Sequence, residues 1–136
     1  IMALGKIKAD TLEHSTAGSL DTQYVVKGSA KAYVLFDQVV PEIDNSFNTS
    51  SLTDSAEGNG DVNWTNAMSN ALYITVACTG YVSTATAYNV SLSDDTGSGN
   101  PRTSSKFYFV STYGNASATA FTDNPNNHLA VLGDLA

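Results

Sequence analysis

Gly28-Ser29-Ala30-Lys31-Ala32-Tyr33-Val34-Leu35-Phe36 opens a series of strand-like segments. It is followed by Ser46-Phe47-Asn48-Thr49-Ser50-Ser51-Leu52-Thr53-Asp54 and by Gly60-Asp61-Val62-Asn63-Trp64-Thr65-Asn66-Ala67-Met68. β-Branched and aromatic residues recur at a period of two between polar turns, the pattern of short strands rather than helices. In the first strand, 30–36, Ala32, Val34 and Phe36 fall on one face and Tyr33 and Leu35 on the other. Both faces are apolar, so this strand is expected to be covered on both sides. In the third, 61–65, Val62 and Trp64 should point inward and Asp61 and Asn63 outward. None of the three segments carries a catalytic constellation.

Working outward, strands are also expected at 47–53, 72–80, 86–92, 106–112 and 128–132. Segment 86–92 lines up Tyr88, Val90 and Leu92, and 106–112 carries Phe107, Tyr108, Phe109 and Val110. The breaks have turn chemistry: Asn59-Gly60, the Gly-rich run 94–101, Tyr113-Gly114-Asn115 and the Asn-rich loop 123–127. Residues 66–70 have room for one short helical turn, but no capped amphipathic helix, heptad run or internal repeat is visible. The expected fold is all-β: an antiparallel β-sandwich or jelly-roll-like head over residues 28–136. Residues 1–27 have sparse apolar positions and no sustained period, so they are expected to form an extended N-terminal arm ordered by a neighbouring chain. Fully extended, such an arm reaches at most ~90 Å. Its apolar residues Ile7, Leu12, Tyr24, Val25 and Val26 are the expected assembly contacts.

Composition narrows the function. At 136 residues the chain supports one domain with a moderate core. Charged residues make up 14% of it, and the net charge is −7. An acidic, weakly charged surface disfavours nucleic acid as a partner. No apolar run is long enough to span a membrane, and Ile1 to Leu4 are too short for a signal peptide. Assembly in a bacterial cytoplasm is the expectation.

Candidate chemistry is thin. Cys78 is the single cysteine and shares a strand face with Ile74 and Val76, where a small buried hydrophobe is expected rather than a catalytic thiol. His14 and His128, the two histidines, lack a ligand-spaced partner for zinc; His14 should lie in the arm and His128 at a strand edge. Asp94, Asp95 and Asn100 offer hard oxygens for calcium, though not at the spacing of a known calcium loop. With Tyr113 and Asn115 they are the candidate ligand or partner loops. The loop acids Asp37, Glu42, Asp44, Asp54 and Glu57 are expected to be solvated rather than paired as glycosidase carboxylates. Ser29 and Lys31 have the spacing of a Ser-x-Lys pair, but they lead straight into a strand. The sequons at Asn48, Asn63, Asn89 and Asn115 follow from Ser/Thr/Asn-rich strands. No cofactor is expected.

The quoted segments resemble a β-module of tailed-phage virion proteins. In that module a Gly-Ser-Ala-Lys-Ala-aromatic strand is followed by a Phe-Asn-x-Ser-Ser-hydrophobic-x-Asp strand and a Gly-Asp-x-x-hydrophobic strand. The resemblance covers about residues 7–80, including Ile7-Lys8-Ala9-Asp10-Thr11-Leu12 and Thr22-Gln23-Tyr24-Val25-Val26, and returns at Leu129-Ala130-Val131-Leu132-Gly133-Asp134. Tyr33 stands where the module usually has Trp, and Asp37-Gln38-Val39-Val40-Pro41 replaces its Asn-Gly-Thr-Gly turn. The resemblance implies a virion component that is a homotrimer, and the acidic charge then places it on the outer surface, away from the genome. An arm plus one β-head suits a non-catalytic capsid decoration (cement) protein that contacts the major capsid protein or other virion subunits. The alternative is a tail-fibre or tail-tip module whose loops bind host glycans. A polysaccharide depolymerase is the third reading.

Overall fold

The computed structural model describes residues 9–16, 18–79, 89–94, 102–114 and 119–136. Two antiparallel sheets face each other. The first is four-stranded, ordered β4 (Glu42–Phe47), β3 (Ala30–Asp37), β11 (Asn127–Leu132), β7 (Ile74–Thr79). The second contains β5 (Thr49–Ala56), β6 (Asn59–Trp64), β8 (Asn89–Asp94), β9 (Lys106–Gly114) and β10 (Thr119–Phe121). Strand β9 is its centre. β8 runs along one side of it, while β6 and then β10 occupy the other, because Phe109 and Val110 pair with both β6 and β8 and Thr112 to Gly114 with both β8 and β10. These findings bear out the all-β, antiparallel sandwich.

The core lies between the sheets. Ala32, Val34 and Phe36 of β3 and Leu129 and Val131 of β11 meet Val62 and Trp64 of β6 and Phe107 and Phe109 of β9. The Phe36 and Phe109 rings are 5.0 Å apart and tilted by 46°, a favourable aromatic geometry. The inward positions of Val62 and Trp64 agree with the sequence pattern. Gly60 lies under the Phe109 ring, where an added Cβ would fall 2.7 Å from Cζ, so only glycine fits between them. One end of the sandwich is closed by the connection 65–73. Met68 and Tyr73 are buried there, the Tyr73 hydroxyl donates to the Lys106 carbonyl at 2.8 Å, and Met68 bridges to Leu135. The short helical turn expected at 66–70 is absent; these residues bend to pair with residues 104 and 134 instead.

Between β4 and β5 the chain passes from the first sheet to the second through a single residue. Asn48 joins β4 to β5 with φ of 56°, a left-handed conformation that asparagine tolerates better than most residues. Its Nδ2 donates to the carbonyls of Lys31 and Asn66 at 3.0 and 3.1 Å, and its Oδ1 accepts from the Asn66 amide at 2.7 Å. The single strand expected over 47–53 is therefore two strands in different sheets. The side chain of this sequon residue is committed to the fold.

Strand β3 is covered on one side, not both. A two-layer sandwich has one interior: Phe36 is fully buried, whereas Tyr33 is exposed. Residues 9–28 also differ from an extended chain. They form a hairpin of β1 (Thr11–His14) and β2 (Gly18–Asp21) that runs into helix α1 (Thr22–Gly28). Gly18, with φ of 93°, opens β2 opposite His14, and Thr22 locks the hairpin base by donating its hydroxyl to the Ala9 carbonyl at 2.7 Å. Among the described residues, no helix is long and apolar enough to cross a membrane.

Asn48→Ala is expected to lower the free energy of unfolding by about 2–4 kcal/mol, combining left-handed strain with unpaired backbone groups. Asn48→Gly should recover about 1 kcal/mol of that, because glycine removes only the strain. Urea unfolding of the three proteins checks both.

Candidate binding face and arm

The outer face of the four-stranded sheet exposes apolar side chains built by regular structure. Side chains alternate along each strand, so register fixes its rows. Phe47, Tyr33, Ala130 and Val76 form one row across β4, β3, β11 and β7, and Asn45, Leu35, His128 and Cys78 form the next. Phe47 is 52% exposed and Val76 61%. The Tyr33 and Phe47 rings stack at 6.0 Å and 27°. Ala130 is small, so the face dips between Tyr33 and Val76 into an open groove of about 350 Å³ whose floor includes His128 and Leu129.

Ile74, Val76 and Cys78 do share a face, but it is this outer one. Cys78 is exposed, contrary to the expectation of a buried small hydrophobe. The reason is register: Thr75, Ala77 and Thr79 lie opposite Val131, Leu129 and Asn127, whose side chains point into the sandwich. His128 lies in a central strand, not at an edge. It is directly opposite Cys78, which places a thiol and an imidazole side by side. The next polar group of the row, Asn45, is separated from His128 by Leu35. That is two strand spacings, about 9–10 Å, too far to orient the imidazole as a catalytic triad requires. Among the described residues, no group of three or more His, Cys, Asp or Glu side chains could hold a metal ion.

Ser29 and Lys31 do meet, with Lys31 Nζ donating to Ser29 Oγ at 2.6 Å in an exposed position. Lys31 acts as the donor there, and among the described residues no further hydrogen bond to the Ser29 hydroxyl is seen. Asp37 is occupied as a turn cap, accepting from the Val39 and Val40 amides at 2.7 and 3.1 Å. Asp94 ends β8 and Tyr113 lies within β9, so their backbones belong to the sheet rather than to loops. Asp95, Asn100 and Asn115 lie outside the described residues, as does Ile7.

The other arm residues are in place. Leu12 lies opposite Leu20 across the hairpin, and Tyr24, Val25 and Val26 lie on α1. All five are exposed, Tyr24 by 61%, and α1 has no buried residue. The arm therefore presents apolar surface without a core of its own.

The polar framework missed by sequence reasoning is the Asn-rich loop 123–127. Asn127 is buried, and its Nδ2 donates to the Asn124 carbonyl at 2.6 Å and to Gln38 Oε1 at 3.0 Å. Asp123 reaches across to accept from the Gly58 amide at 2.7 Å. These groups fasten the loop to β3 and to the β5–β6 turn. Only the density of Asn in the sequence hinted at it.

In comparisons with protein-family models, with curated proteins and with solved structures, nothing matches this chain.

Val76→Thr is expected to change stability by less than about 0.5 kcal/mol, as for an ordinary surface site. Val131→Thr, which puts a hydroxyl into the core, should cost about 1–3 kcal/mol. Denaturant midpoints measured at low protein concentration compare the two.

Proposed function

We propose that this chain is a non-catalytic structural protein of a tailed-phage virion, a capsid decoration protein whose heads sit on the outer shell and whose arms bind neighbouring subunits. The observation that carries this reading is the arm. Leu12, Leu20, Tyr24, Val25 and Val26 are all exposed on a hairpin and a short helix that have no buried side chain among the described residues. Fully burying a large apolar side chain contributes roughly 1.5–3 kcal/mol. Five on one arm, repeated around a symmetric shell, would supply substantial cohesion without any chemistry. The net charge of −7 suits a surface facing away from the genome. The resemblance of the Gly28–Phe36, Ser46–Asp54 and Gly60–Met68 segments to a virion module supports the same assignment, including a trimeric head in contact with the major capsid protein.

A second reading rests on the stacked Tyr33–Phe47 pair beside a groove containing His128 and Asn45. Aromatic faces stack on sugar rings, so a tail module that binds host glycans would use this site.

Quantitative mass spectrometry of purified particles separates the readings. On the order of hundreds of copies per virion is expected for a symmetric shell component; a few to a few tens would overturn decoration in favour of the tail. Val25→Asp combined with Val26→Asp should lower occupancy on decorated shells by at least about tenfold, the effect of losing one buried apolar contact. Unchanged occupancy would remove the arm from the mechanism.

A further inference from the structure

We propose that the loop end of the sandwich holds a buried water site, formed by Asn127, Gln38, Thr79 and Ser111. This site stands whether or not the chain belongs to a virion.

Five buried side-chain atoms have no hydrogen-bond partner among the described residues: Gln38 Nε2, Trp64 Nε1, Thr79 Oγ1, Ser111 Oγ and Asn127 Oδ1. An unpaired buried polar atom carries its full desolvation penalty, so native structures rarely leave one unmatched. The Trp64 ring packs edge-on against Tyr73 at 6.2 Å, at the end closed by the connection 65–73. The other four atoms belong to the opposite end. Asn127 and Thr79 are paired across β11 and β7, and both point into the sandwich. Gln38 follows β3, with its Oε1 3.0 Å from Asn127 Nδ2. Ser111 is the next inward residue of β9 after Phe109, whose ring lies 5.0 Å from that of Phe36, the β3 partner of Asn127. Asn127 and Ser111 are fully buried, and Gln38 is 2% exposed.

Turning the amides over does not relieve them. Asn127 Nδ2 faces the Asn124 carbonyl at 2.6 Å and the Phe36 carbonyl at 3.5 Å. Reversed, Asn127 would set Oδ1 against both carbonyls, acceptor against acceptor. Gln38 Oε1 accepts from the same Nδ2, so reversing Gln38 would set donor against donor. The bonds made by one half of each amide therefore fix the unpaired half.

The four groups select their ligand. Asn127 Oδ1 only accepts, Gln38 Nε2 only donates, and the two hydroxyls do either. A cation would meet the Gln38 N–H groups, and an anion would meet Asn127 Oδ1. A neutral molecule that both donates and accepts fits the set. Water is the smallest such molecule, and in protein interiors it makes roughly two to four hydrogen bonds. Bound there, it ties the 37–41 loop, the end of β7 and the Asn-rich loop to one another and, through Ser111, to the second sheet.

A crystal structure of the full chain that resolves solvent tests the site directly. The expected result is a water bonded to Asn127 Oδ1 and to at least one of Gln38 Nε2, Thr79 Oγ1 and Ser111 Oγ. Magnetic relaxation dispersion of the water signal detects long-lived internal water in solution. Thr79→Val keeps the side-chain shape and removes the hydroxyl, so it should shorten the residence time of one such water about tenfold, the weight of one hydrogen bond. Thr75→Val, on the same face of β7 at its other end, should leave that time unchanged. Direct hydrogen bonds among the four side chains, with no water between them, would overturn the proposal. So would the absence of long-lived water in the intact protein, or a residence time that Thr79→Val does not alter.

Discussion

Asn48 is the constraint on which the head depends. A sandwich must send its chain from one sheet to the other, and the passage from β4 to β5 takes one residue at φ of 56°. The side chain that makes the conformation affordable also ties its surroundings, binding Lys31 in β3 and Asn66 beyond β6. The corner therefore sets the offset between the two sheets. Given that offset, Ala32, Val34 and Phe36 meet Phe107 and Phe109, and Gly60 lies under the Phe109 ring. Buried packing of this density leaves little freedom in how the layers meet.

The same corner determines what remains unsatisfied. Once one face of β3 is used for the core, Tyr33 and Leu35 must face outward, and β11 and β7 follow with Ala130, His128, Val76 and Cys78. The apolar outer face is thus a consequence of register and not a defect of packing. Polar fastening is concentrated away from it, at Asn127, Gln38 and Asp123 and at the ion pair of Lys106 with Asp61 at 3.1 Å. Tyr33, Phe47 and Val76 stay exposed on that face.

Strands β3, β6, β9 and β11 were legible in the sequence because each has apolar residues at a period of two facing the interior. β4 was not, since Glu42-Ile43-Asp44-Asn45-Ser46-Phe47 contributes one core neighbour, Ile43, and is a strand because β3 pairs with it. β7 misled for a physical reason. Its more apolar face, Ile74, Val76 and Cys78, is the outer one, and Thr75, Ala77 and Thr79 look inward. Pairing with β11 overrode hydrophobicity. In the arm, the lack of a sustained apolar period concealed the short helix that forms over Thr22–Gly28. Leu12, Tyr24, Val25 and Val26 stand out in the sequence as the apolar residues of the arm, and they are exposed, but the open face was not legible, because it forms only when strands distant in sequence are set side by side.

Hydrogen exchange of the whole chain, free in dilute solution and then in its assembled state, tests the central claim that function resides in the arm. The account predicts slower exchange on assembly in residues 9–28, with β6 and β9 unchanged. Protection confined to β5 and β8, with residues 9–28 exchanging as fast as in the free chain, would contradict it.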